Sequence, residues 1–141
     1  MNWKMQALRF LLALVCIVNL GLGAAAFTSE STILKVIQTV YRVPLTDLDG
    51  TTLYVIKMVG CYIIAIAVMS GWAIRNPVQN RIIVLGNVIW LMLRGIQRLT
   101  YVERFHRDWG IPYSQLWGQI VLVFLLAALL FWLMPKKQET V

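Results

Sequence analysis

The chain has 141 residues, of which 60% are hydrophobic and only 13% are charged. Soluble domains usually carry about 25% charged residues, so this composition excludes an ordinary soluble domain and indicates one compact membrane-embedded bundle. The net charge of +7 would favour nucleic acid in a soluble protein, but here the basic residues flank apolar runs, where lipid phosphates explain them, and we expect no nucleic-acid partner.

The first apolar run, about residues 10–27, predicts a transmembrane helix at the short end of the usual length. Asn19, Gly21 and Gly23 lie near its far end. Small and polar residues in a span indicate close approach of another helix rather than exposure to lipid. We therefore expect this end of the first span to pack against a neighbour.

A short amphipathic helix is expected between the first and second spans, at about residues 31–42. Its apolar residues recur with helical spacing over about three turns, which is typical of a helix with one buried face. We expect it to lie in the membrane interface, over the mouth of the bundle. Pro44 is expected to end it, and Asp47, Asp49 and Gly50 indicate a turn.

The second span is expected at about residues 52–74, with its small residues on one face. Gly60, Ala67 and Gly71 recur at i, i+7 and i+11. Such a stripe allows another helix to approach closely, so these residues are predicted to pack against a neighbouring helix. The same helix-packing role is predicted for Gly118 in the fourth span.

The third span, about residues 82–102, carries a polar stripe. Asn87, Arg94 and Arg98 fall on one helix face at i, i+7 and i+11. Unpaired polar groups in hydrocarbon cost roughly several kcal/mol each, so this face should turn toward protein, a ligand or a wet cavity. Lys57, one turn inside the second span, belongs to the same end of the bundle and is long enough to reach the headgroups.

The fourth span is expected at about residues 112–134, after a connection at residues 99–111 that mixes charged and aromatic side chains. Four spans in one domain, residues 1–141, place both termini on the same side of the membrane. Basic residues divide six against seven between the two sides, so they decide the orientation poorly. The acid-free turn at residues 75–81 favours termini in the cytoplasm of a bacterial inner membrane.

Two interpretations of the charged residues at the far end remain open. In the first, Asp47, Asp49 and Glu103 form an ion-paired cap that neutralises Arg94 and Arg98 and fixes the register of the helices. This cap would be structural and would bind no ligand.

The second interpretation is a pocket for an anionic headgroup, a carboxylate or a quinone oxygen. Arg94 and Arg98 would be its donors, because guanidinium groups bind such oxygens well. Asn87 and Lys57 are further candidates for contact with a ligand or a lipid headgroup. The pocket would hold a lipid, a quinone or a pigment, although no motif encodes a particular cofactor.

Several functions are disfavoured by residues that the spans lack. No acid lies inside any span, which argues against proton-coupled multidrug exporters. Cys16 and Cys61 form no C-x-x-C motif, and His106 is the only histidine. A metal site would need three or four ligands, and none cluster in the sequence. We therefore expect no metal and no catalytic activity.

Residues 54–99 resemble small four-span bacterial proteins of the DUF4345/BphX-like and DoxX-like type. The similar features are a glycine in the second span, Gly60, a short turn with Pro77, and the R-G-x-x-R-L ending of the third span, residues 94–99. The resemblance extends over about residues 10–130 and implies a four-helix bundle more than a particular function.

The expected function is that of a non-catalytic accessory or structural subunit. It would pack against a larger membrane complex, or against copies of itself, through faces of small residues and tryptophan, with lipid or a hydrophobic cofactor at the interface. Energy-transducing complexes of bacteria are the expected host, by analogy. The alternative is a small homo-oligomeric carrier or channel for a hydrophobic or anionic solute, with Arg94 and Arg98 at its mouth.

Overall fold

The computed structural model describes residues 3–41 and 47–135, and within these ranges the regular structure is entirely helical. The six helices are α1 (Trp3–Ala25), α2 (Glu30–Tyr41), α3 (Gly50–Arg75), α4 (Arg81–Thr100), α5 (Val102–Trp109) and α6 (Tyr113–Leu133). Four of them, α1, α3, α4 and α6, are long and apolar enough to cross a membrane. The predicted four-helix membrane fold, with a short amphipathic helix between the first two spans, is confirmed.

Two boundaries differ from the sequence prediction. Helix α1 begins at Trp3, about two turns before the predicted start, because Leu8 is fully buried and extends the packed face toward the N-terminus. A separate helix, α5, fills the second connection and ends at Gly110, whose backbone φ of 67° is left-handed. The predicted end of α2 at Pro44 lies outside the described residues.

Both described ends of the chain lie at the same end of the bundle. The rings of Trp3 at the start of α1 and Trp132 near the end of α6 are 5.8 Å apart. At the same end, Nη2 of Arg9 donates to the carbonyl oxygen of Arg75, at the end of α3, over 3.4 Å. We call this the terminal end of the bundle, and α2 and α5 cover the opposite end.

Helices α1 and α3 form a close pair because glycine faces glycine between them. A Cβ built on Gly60 would lie 2.6 Å from the Cβ of Ala26 and 3.3 Å from the carbonyl oxygen of Gly23. A Cβ built on Gly23 would lie 3.1 Å from the carbonyl oxygen of Gly60. Only hydrogen in place of a side chain allows the two backbones to approach this closely.

Helices α4 and α6 form the second pair. Gly95 of α4 accommodates the ring of Phe124 from α6, because a Cβ there would lie 2.8 Å from the ring. Toward the terminal end the two pairs meet in one hydrophobic core, built from buried residues of four helices. They are Leu8, Leu12, Val15, Ala73, Val84, Val88, Leu91, Val123, Ala127, Leu130 and Leu133.

The residues predicted to pack between helices have different surroundings. Gly60 and Ala67 are buried, and a Cβ on the half-buried Gly71 would lie 3.4 Å from Sγ of Cys16 on α1. Gly118 is exposed on α6, where a Cβ would find no atom within 4 Å. Gly118 therefore does not pack against another helix of this chain, since its face of α6 points outward.

Replacing Gly60 by Ala is expected to destabilise the protein by roughly 1–3 kcal/mol, the usual cost of overpacking a filled interface. The new methyl group would collide with Ala26, whose Cβ is fixed to the backbone and cannot rotate away. Gly118→Ala is the matched control, and because its methyl group meets open space it should leave stability unchanged or raise it by up to about 1 kcal/mol, the helix-propensity gain of alanine over glycine. Unfolding in detergent measures both, and equal losses in the two variants would contradict the packing described.

The start of α3 should show a pH-dependent stabilisation. The side chain of Asp49 caps α3 by accepting from the backbone N–H of Thr52, and its hydrogen bond with the Thr52 hydroxyl lowers the pKa of the carboxyl. A carboxylate with a lowered pKa stabilises the fold above about pH 4, and this contribution disappears as the pH falls through the lower pKa of the folded state.

Asp49→Ala is therefore expected to lower the melting temperature at pH 7, and the difference from the parent protein should shrink as the pH approaches about 2. Glu103→Ala, which removes an exposed carboxylate at the same end of the bundle, controls for the change in net charge. A difference between Asp49→Ala and the parent that is the same at both pH values would contradict this account.

Candidate functional site

A cavity of about 550 Å³ lies between the two helix pairs at the end covered by α2 and α5. All six helices contribute to its wall. Most of the lining side chains are apolar, including Ile33 and Ile37 from α2, Ile56 and Ile63 from α3, and Leu116 from α6. The cavity is the strongest candidate for a functional site, because large apolar pockets with a few polar groups are typical of ligand sites.

Two arginines line this apolar cavity. Arg94 and Arg98 of α4 are both half-buried, and they are the charged side chains among the described residues of its wall. Gln97 of α4 and Gln119 of α6 add neutral polar groups. Both arginines also interact elsewhere in the chain. The structure thus places two of the four predicted ligand contacts, Arg94 and Arg98, together in one cavity.

The cavity exists because α3 and α4 meet at only one of their ends. On the face of α3 directed at α4, Ser70 and Ala73 are both 0% exposed. Val59 lies on the same face, about three turns closer to the start of α3, yet it is 41% exposed, and Val55 is 44% exposed. We call the boundary between these two helices the α3–α4 seam. It is closed at Ser70 and Ala73, toward the terminal end, and open at Val55 and Val59, beside the cavity.

Asn87 belongs to the closed part of the seam rather than to the cavity. It is 3% exposed, and its Oδ1 accepts a hydrogen bond of 2.8 Å from Oγ of Ser70. Its Nδ2 donates to the carbonyl oxygen of Ile83 within α4 over 3.0 Å. Asn87 therefore faces protein, as predicted, and its partner is Ser70 of α3. The predicted contact of Asn87 with a ligand is corrected to a contact between two helices.

Lys57 does not line the cavity and is exposed on α3. Helix α3 presents Val55, Ile56 and Val59 to the cavity, and Lys57 projects from a different face. Sharing one end of the bundle does not place two residues on one face, so Lys57 lies apart from the arginines of the cavity. Its contact with a lipid headgroup stays a prediction.

The structure shows the surroundings of the three acids predicted to pair with the cavity arginines. Oδ1 of Asp47 accepts from the backbone N–H of Leu48 over 2.8 Å, and Asp49 caps α3. Glu103 is exposed on α5. Arg107 and Asp108 of α5 form an ion pair at 3.0 Å, whose hydrogen bond raises the pKa of Arg107. Arg94 and Arg98 also interact within the chain, and their pairing with Asp47, Asp49 and Glu103 stays a prediction.

Two polar contacts that the sequence did not predict hold the covered end together. Nε2 of Gln115, in the first turn of α6, donates to the carbonyl oxygen of Val40 on α2 over 3.0 Å. Nδ1 of His106 lies 2.9 Å from the carbonyl oxygen of Ile111, and its ring stacks on Tyr113 at 3.9 Å. The sequence feature that could have predicted the contact of Gln115 is the presence of a polar residue in the first turn of an otherwise apolar span.

Groups that could hold a metal do not converge in the part of the chain that the structure describes. No three His, Cys, Asp or Glu side chains lie together there. Cys16 is half-buried and Cys61 is exposed, and both are free thiols. The cavity wall itself offers apolar contact together with guanidinium, amide and hydroxyl groups.

Comparisons of the chain with protein-family models, with curated proteins and with solved structures find no match.

Replacing Ser70 by Ala is expected to destabilise the bundle by roughly 0.5–2 kcal/mol, because Oδ1 of the buried Asn87 loses its donor from α3. Ser114→Ala, which changes an exposed serine of α6, is the control and should have little effect. A double-mutant cycle of Ser70→Ala with Asn87→Ala measures the coupling in detergent. A coupling energy of zero would contradict a hydrogen bond at this position.

Proposed function

We propose that this chain is a non-catalytic membrane subunit that holds a lipid-like molecule in the cavity and packs against a larger membrane complex or against copies of itself. The observation that carries the proposal is the cavity of about 550 Å³, which is walled mainly by apolar side chains and lined by Arg94 and Arg98. Its volume lies within the range of roughly 300–1,000 Å³ that ligand sites occupy.

The composition of the wall favours binding over catalysis. Apolar side chains from five helices surround the space, and α4 contributes the polar side chains of Arg94, Gln97 and Arg98. The other polar groups include the amide of Gln119 and the hydroxyls of Thr51 and Thr52. These groups donate hydrogen bonds, and the described lining residues include no His, Cys, Asp or Glu that would act as an ordinary general base at neutral pH. A molecule with a long apolar part and a small polar end fits this set of groups best.

The outer surface supports packing against other membrane helices. Gly118 is open to close approach, and the adjacent Trp117 is 48% exposed on the same helix. Small residues allow helices to approach closely in lipid, and tryptophan offers a large rigid contact. This exposed part of α6 is the place where we expect a partner chain to pack.

The proposal keeps the cellular setting that the sequence suggests. The resemblance to DUF4345/BphX-like and DoxX-like proteins, together with the acid-free turn at residues 75–81, favours a bacterial inner membrane with cytoplasmic termini. By analogy, we propose an energy-transducing complex as the host. Small basic subunits in such complexes fill gaps between larger chains and hold lipid, quinone or pigment.

A carrier or channel for a hydrophobic or anionic solute is the second candidate, favoured by the open side of the cavity. A channel needs a path through the whole bundle. Here the terminal half is filled by a hydrophobic core that includes the fully buried Leu8, Leu12 and Leu130. This arrangement supports retention of a molecule in the cavity rather than conduction through the bundle.

Filling the cavity tests the proposed function. Ile63→Trp would place a larger side chain in the cavity wall, whereas Tyr62→Trp changes the neighbouring exposed residue and serves as the control. After gentle purification, native mass spectrometry of the parent protein and of Tyr62→Trp should detect a bound lipid-like mass that Ile63→Trp loses. A folded parent protein that never carries such a mass would contradict the proposal.

The same spectra, together with a flux assay in vesicles, separate the two candidate functions. Stable association with unrelated membrane chains supports an accessory subunit. A homo-oligomer that moves a solute across vesicles supports the carrier.

A further inference from the structure

We infer that the occupant of the cavity is an anionic acyl-chain amphiphile, which enters from the bilayer through the open part of the α3–α4 seam and places its headgroup on Arg94 and Arg98. This inference rests on the proposed function and specifies the ligand class. The headgroup is a carboxylate or a phosphate, and it belongs either to a free fatty acid or to an anionic phospholipid.

The charge of the cavity selects an anionic headgroup. Arg94 and Arg98 bring two positive charges to a wall that is otherwise apolar or neutral among the described lining residues. Both arginines interact within the chain, and each guanidinium has five N–H donors, so it can contact more than one partner. Guanidinium groups bind carboxylate and phosphate oxygens with two parallel hydrogen bonds, and a low-dielectric surrounding strengthens that attraction.

The length of the wall suits an acyl chain. Ser70 of α3 and Asn87 of α4 are in contact, and Ile63 and Arg94 each lie seven residues from that contact, about 10 Å toward the covered end. Val55 also lines the cavity and lies fifteen residues from Ser70, about 22 Å along α3. The apolar wall of α3 therefore runs from the level of Arg94 toward the covered end. A headgroup at Arg94 and Arg98 leaves the chain beside this apolar wall.

The open part of the seam gives this ligand a route from the lipid phase. Val55 and Val59 line the cavity and are 44% and 41% exposed, so the cavity wall reaches the outer surface between α3 and α4. The exposed surface there is apolar, as it is on a lipid-facing helix. A molecule already dissolved in the bilayer meets this opening without passing through water, which favours a membrane amphiphile over a water-soluble anion.

Photocrosslinking in vesicles of neutral phosphatidylcholine tests the inference. One probe is hexadecanoic acid with a diazirine in its chain, and its matched control is the corresponding hexadecanol. A second anionic probe is phosphatidic acid with the same photoreactive chain. Mass spectrometry of peptides from the labelled full-length protein locates the crosslinks, and the fraction labelled at increasing probe concentration gives relative affinities.

The acid should label cavity-lining peptides of α3 and α6 at least roughly tenfold more efficiently than the alcohol, because hydrogen bonds to charged groups are the stronger kind. Arg94→Gln/Arg98→Gln should remove this preference. Arg107→Gln is the control, since Arg107 is exposed at the same end and paired with Asp108. Labelling of the double variant by the alcohol reports whether its cavity is still formed.

Closing the seam tests the route of entry separately. Val59→Trp should slow labelling by the anionic probe severalfold. Val68→Trp, on an exposed position of α3 that does not line the cavity, should leave it unchanged. Equal labelling rates in Val59→Trp and the parent protein would overturn entry through the seam.

The possible results separate the inference from the proposed function. Preferential labelling by the free acid or by phosphatidic acid supports the inference and identifies the source of the headgroup. Equal labelling of the cavity by acid and alcohol, unchanged in Arg94→Gln/Arg98→Gln, would overturn the inference and leave a lipid-holding cavity. Failure of every probe to label the cavity of the folded parent protein would overturn the inference and the proposed function together.

Discussion

The close contact of α1 with α3 at Gly23 and Gly60 determines the shape of the bundle. Two backbones that touch at glycine leave no space for a third helix between them. Helices α4 and α6 pair in a related way, with the ring of Phe124 over Gly95. The protein is thus built from two tight pairs, and any internal space has to lie where one pair faces the other.

Polarity decides where this space opens. Toward the terminal end, the hydrogen bond between Ser70 and Asn87 and a continuous hydrophobic core hold the pairs together. At the opposite end, Arg94 and Arg98 occupy the position where an apolar core would otherwise continue. Large charged side chains do not close-pack like leucine, and amphipathic α2 covers the resulting cavity. The same residues therefore explain the incomplete core and are the donors in the proposed binding of an anion.

Hydropathy predicts the number of spans and their order. Helical spacing predicts that Arg94 and Arg98 face inward, because polar groups exposed to lipid cost several kcal/mol each, roughly. The sequence does not predict that Asn87 contacts α3 whereas Arg94 lines the cavity. Both residues lie on one face of α4, and helical spacing does not say which helix lies opposite that face at each level of the bundle. The outward position of Gly118, the face of Lys57 and the cavity itself depend on how closely whole helices approach. Helix α5 was missed because its charged sequence resembles a connecting loop.

A crystal structure of the protein, grown from a lipidic mesophase containing an anionic lipid, tests the central claim most directly. The account predicts α3 and α4 in contact at Ser70 and Asn87 but separated beside Val59, with elongated density in the cavity that ends at hydrogen-bond distance from Arg94 or Arg98. Contact of α3 with α4 along their whole length, with no space between the two helix pairs, would contradict it.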